Sequence, residues 1–94
     1  MAQAGIATLA NVASSASSVT LQAANGKRVG WTVFNDSTAN LFVKFGATAS
    51  ATSFTVKVAA AGYYEMPGTA VYTGVIDGIW DAANGNARVT ELTV

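Results

Sequence analysis

The sequence contains neither cysteine nor histidine, a single proline, and only 11% charged residues. Without cysteine there are no disulfides and no thiolate metal site, and thiols say nothing about redox compartment. Without histidine, Ser-His-Asp and Cys-His nucleophile systems and imidazole-ligated metals are excluded. Five acidic residues balance five basic ones, so no net field draws the chain to nucleic acid or to an anionic membrane. No apolar run approaches the ~20 residues of a membrane-spanning helix. The N-terminal stretch is mostly Ala, Ser, Thr and Asn, without the basic patch and continuous apolar segment of a secretory leader, which predicts synthesis in a cytoplasm.

Helical patterning is also missing, because no long stretch keeps apolar residues at three- and four-residue spacing. Short β-rich runs take its place, separated by Gly, Asn, Asp and Ser at intervals of roughly 8–12 residues. In residues 28–35, Val29, Trp31 and Val33 share one face, while Gly30, Thr32 and Phe34 share the other. In residues 41–45, Leu41, Val43 and Phe45 oppose Phe42 and Lys44. The polar cluster between these runs (35–40) reads as the turn of an antiparallel hairpin. Phe54, Val56 and Val58 form the inward set of the next strand, and Tyr63 to Met66 a further short one ending at Pro67. Asp77-Gly78, between apolar runs, predicts a second, two-residue hairpin. The tetrapeptide Ala-Ala-Asn-Gly occurs at 23–26 and again at 82–85, which reads as one turn chemistry used twice.

A chain of 94 residues makes one domain. The expected fold is all-β: a single small antiparallel β-sandwich or barrel, jelly-roll-like, with about seven to eight short strands. The apolar fraction is 51%, but much of it is alanine, so large core formers are few. Oligomerisation or docking is one way to add burial. Residues 1–18 stand apart from the domain at 19–94. Ile6, Leu9 and Val12 recur at three-residue spacing, followed by an Ala/Ser tract. The segment is expected to be a flexible or extended arm, either pairing with a neighbouring subunit by strand addition or simply a frayed terminus.

Groups for chemistry are scarce. The acids are Asp36, Glu65, Asp77, Asp81 and Glu91, and only Asp77 and Asp81 make a candidate pair. Asp77, Asp81 and Asn84 carry too few carboxylates at the wrong spacing for a calcium loop. The glycines are dispersed and form no phosphate loop. Lys27-Arg28 reads as a basic spot keeping a strand end soluble. The expectation is therefore no enzyme, no cofactor and no metal. Tyr and Trp commonly anchor protein interfaces, so the candidate interface residues are Ile6, Leu9, Val12, Tyr63, Tyr64, Tyr72 and Trp80.

An ordered series of segments carries a resemblance. Arg28-Val29-Gly30-Trp31 leads to Asn35-Asp36-Ser37, then to Leu41-Phe42-Val43-Lys44-Phe45-Gly46 and Tyr63-Tyr64-Glu65-Met66-Pro67. A closing block runs from Tyr72 to Trp80 and on to Arg88-Val89-Thr90-Glu91. From Val19 to Leu92 the chain resembles small virion proteins of tailed phages. The resemblance implies a capsid decoration or cement protein, or a tail or fibre-base accessory protein. It implies as partners the major capsid or other virion proteins and further copies of the chain, with a homotrimer favoured, and a location in the virion. It supplies no catalytic residues. A carbohydrate-binding module displayed on a virion or cell surface is the alternative.

Overall fold

The computed structural model describes residues 3–94, so the first two residues of the expected arm lie outside the described residues. Eight strands form in chain order: β1 (Ile6–Ala13), β2 (Val19–Gln22), β3 (Arg28–Asp36), β4 (Leu41–Phe45), β5 (Val56–Val58), β6 (Tyr63–Glu65), β7 (Ile76–Trp80) and β8 (Asn86–Thr93). They build two four-stranded sheets in the orders β1-β8-β3-β6 and β2-β7-β4-β5. Every strand pair is antiparallel. This is the strand order of an eight-stranded jelly roll, a double-sheet arrangement of two Greek keys.

Alternation along the strands explains the layering. Trp31, Val33 and Asn35 of β3 align with Glu91, Val89 and Ala87 of β8, and all six are buried. On the facing sheet, Leu41 and Val43 align with Trp80 and Gly78. The core joins these residues to Leu21, Val58, Met66 and Ile76. Each buried indole finds an acceptor, as a buried ring N–H requires. Trp31 Nε1 donates to Gln22 Oε1 at 3.1 Å, and Trp80 Nε1 to Asn35 Oδ1 at 3.2 Å.

Consecutive strands rarely neighbour one another, and this corrects both expected hairpins. β3 and β4 lie in different sheets, so residues 37–40 carry the chain across the sandwich. Asp77 and Gly78 sit inside β7 and form no turn. The glycine serves another purpose there. A Cβ on Gly78 would lie 2.7 Å from Leu21 Cδ1 and 2.9 Å from Leu21 Cγ, so its bare backbone makes room for a core leucine. The two Ala-Ala-Asn-Gly copies also differ. Gly85 adopts φ +69° while Gly26 is not left-handed, and a Cβ on Gly85 would collide with the Asp36 carbonyl oxygen. Phe54 lies outside β5 and is 40% exposed. It packs edge-on against Phe42 on the outer side of its sheet, with ring centroids 5.0 Å apart.

Arg28 is the largest departure from the sequence reading. Its side chain is fully buried. Nε meets Glu91 Oε2 at 2.9 Å, Nη1 donates to the carbonyls of Tyr72 and Gly74, and Nη2 to that of Ala23. A bulge between Arg28 and Gly30 breaks the simple alternation, and it accompanies the turn of this arginine inward. The guanidinium fork thus ties the β2–β3 and β6–β7 connections to β8. A planar group with five donors suits this cluster of acceptors in a way that lysine does not.

Candidate interaction surface

Ladder geometry fixes which backbone groups of β1 are free. Met66 N–H donates to Trp31 O, and Asn35 N–H to Gly62 O, each at 2.9 Å, so odd residues of β3 bond toward β6. Antiparallel ladders reverse direction at each residue. Even residues of β3 therefore bond to β8, odd residues of β8 bond to β1, and even residues of β1 return those bonds. Ser14 N–H donating to Gly85 O at 3.1 Å continues the pattern. The N–H and C=O groups of Ala7, Leu9, Asn11 and Ala13 consequently point to the open side, where no described strand follows.

This edge is long and bare. β1 runs for 8 residues as Ile-Ala-Thr-Leu-Ala-Asn-Val-Ala, and only Val12 is even half-buried. Even-numbered residues share a face with buried Thr93, Glu91, Val89 and Ala87 of β8. Ile6, Thr8 and Ala10 are nevertheless exposed, so β1 protrudes past the cover of the second sheet. Leu9 is 73% and Ile6 54% exposed. Free edges are normally guarded by charge, proline, bulges or shortness. The other three edges use the last device: β2 has 4 residues, β5 and β6 have 3 each. β1 uses none of them.

The outer face of the same sheet continues from this edge. Leu9 lies beside Thr90, and Ala7 beside Leu92. Farther across, Phe34 pairs with Tyr63 and Thr32 with Glu65. A shallow groove of about 250 Å³ is lined by Leu9, Ala10, Asn11, Arg88, Val89 and Thr90. Arg88 holds Asp36 at 2.8 Å and Asn11 Oδ1 at 3.1 Å. Tyr63 Oη donates to Glu65 Oε1 at 3.3 Å. Local desolvation, then the charge of Glu65, raises the Tyr63 phenol above its ordinary pKa.

The candidate interface residues divide by location. Ile6, Leu9 and Tyr63 are exposed, and Val12 is half-buried against the core. Tyr64 and Tyr72 are also half-buried, packing around Phe45; the Tyr72 ring stacks on it at 5.2 Å with 2° between planes. Trp80 belongs to the core at 1% exposure, because its strand alternation turns it inward beside Leu41. The candidate set omits two exposed aromatics: Phe34, which sequence alternation places opposite the core set, and Phe54.

The acids occupy separate structural posts. Asp77 Oδ2 accepts from Thr48 N–H at 2.7 Å. Asp81 holds the Asn40 backbone N–H and side chain, and Asn84 Oδ1 accepts from Thr38. Asp77 and Asp81 stand four residues apart along one extended segment, a span of about 13 Å. The latter two contacts clasp the crossing connections 37–40 and 81–85 together. No family model, curated protein or solved structure matches this chain.

Proposed function

We propose that this chain is a phage virion structural protein, of the capsid decoration or cement kind, which works by burying its surface against other virion subunits. One observation carries the reading: β1 offers eight uncharged residues, seven of them exposed, with one row of backbone groups unpaired among the described residues. In a protein that remains alone, such an edge is an aggregation hazard. In an assembly it is a ready surface for strand addition. Sparse, balanced charge suits a protein whose faces are covered. The jelly roll recurs in capsid proteins and lectins alike, so fold by itself does not choose between them.

The test is mass spectrometry and antibody labelling of density-purified particles from cells expressing the chain with its neighbouring structural genes. The protein is expected on the particles, in a fixed ratio to the shell or tail subunit it covers. Particles lacking it, with all of it free in the lysate, refute the proposal.

The carbohydrate reading has one supporting observation, the exposed Phe34–Tyr63 pair on the outer sheet face. Trp31 and Trp80 are both buried, so a glycan platform would use Phe34 and Tyr63 instead. Glycan titrations followed by the chemical shifts of those two rings separate this reading from the first.

A further inference from the structure

We infer that the occupant of the β1 edge is the β1 strand of a second copy of this chain, paired antiparallel about a two-fold axis at Leu9. The inference rests on the reading of β1 as an assembly surface and names its partner.

Length argues first. Among the described residues, the other free edges offer three or four residues each, whereas a second β1 centred on Leu9 pairs seven of the eight residues, 6–12. A ring built by joining β1 to a different edge would leave at least half of β1 open. Self-pairing is isologous and closes at two copies.

Register argues next. The open groups belong to odd residues, so hydrogen-bonded pairs across the seam must join odd to odd. With Leu9 opposite Leu9 of the second copy, Ala7 meets Asn11, and roughly six backbone hydrogen bonds form across three such pairs. On the other face Ile6 then meets Val12, and Thr8 meets Ala10. The two most exposed apolar side chains of the strand, Leu9 and Ile6, each gain an apolar partner. No charge stands in the strand, so the two-fold brings no like charges face to face. The product is a continuous eight-stranded sheet. A seam of this width lies at the small end of protein interfaces, and dimerisation is expected at roughly micromolar concentration.

The experiment uses the full chain in sedimentation equilibrium across a thousandfold concentration range, with amide exchange read at both ends. The expected result is a monomer of 9.5 kDa passing to a dimer. Protection should appear at Ala7, Leu9 and Asn11 only when the dimer is populated. Leu9→Lys is expected to weaken dimerisation at least tenfold while circular dichroism stays unchanged, since the side chain is already in water. Thr8→Cys combined with Ala10→Cys should oxidise to a covalent dimer, because these positions face each other across the seam as a non-hydrogen-bonded pair with Cα atoms about 4.5 Å apart, within disulfide reach. Ala7→Cys, facing Asn11 across the seam, should not.

A monomer at every concentration overturns the inference, as does a trimer, or a dimer whose Thr8→Cys/Ala10→Cys variant fails to link. Particle binding that Leu9→Lys abolishes in a protein otherwise monomeric assigns the edge to another virion protein; the inference falls and the proposed function stands. A dimer absent from all particles does the reverse.

Discussion

Replacing Arg28 with methionine keeps the volume of the stem and removes the guanidinium. Glu91 then loses its Oε2 partner and keeps only Asn25 Nδ2 on Oε1. The carbonyls of Ala23, Tyr72 and Gly74 lose their donor in the same stroke. Breaking a buried ion pair from one side costs about 3–5 kcal/mol, because it strands an uncompensated charge. A chain of this length is stable by roughly 5–14 kcal/mol in total, so the variant should sit near the edge of folding. Its melting temperature should fall by more than about 12 °C. Urea unfolding followed by the fluorescence of buried Trp31 and Trp80 reads the loss directly. The double variant Arg28→Met with Glu91→Leu should lose less than the single one, since no carboxylate is left stranded. Arg88→Ala is the control: that ion pair is half in water, and its removal should cost no more than about 1 kcal/mol. A loss below about 1 kcal/mol for Arg28→Met, or strict additivity in the double variant, refutes the reasoning.

Two further substitutions probe positions where the fold overrides local pattern. Asn35 Nδ2 faces the carbonyls of Ala39, Val58 and Ala59. Asn35→Asp sets a carboxylate against those oxygens and should cost about 3 kcal/mol or more at neutral pH. Protonation restores a donor, so the loss measured by urea titration should shrink on acidification. Gly78→Ala drives a methyl group into Leu21, which is 4% exposed, and should cost about 1–3 kcal/mol. Combining it with Leu21→Ala should remove the clash, so that the two changes together cost less than their sum.

Sequence by itself determined the class of fold and the faces of its best strands. Period-two alternation placed Trp31, Val33, Leu41 and Val43 inward and Phe42 and Lys44 outward, because one buried face imposes that period wherever the strand sits. Composition marked Ile6 and Leu9 as large apolar residues in an otherwise small-residue segment, and alternation set Phe34 opposite the core. Partner choice was beyond that reach. In this jelly roll only β4 and β5 are both consecutive and adjacent, so turn residues at 35–40 and 77–78 point to hairpins that the chain does not make. Tertiary structure decided that Asp77-Gly78 lies within a strand, that Arg28 turns inward to Glu91, and that Trp80 is core. It also decided which strand ends the sheet. An edge is defined by the absence of a neighbour, and no residue in β1 encodes that absence. It follows from β8 taking one side of β1 while nothing among the described residues takes the other.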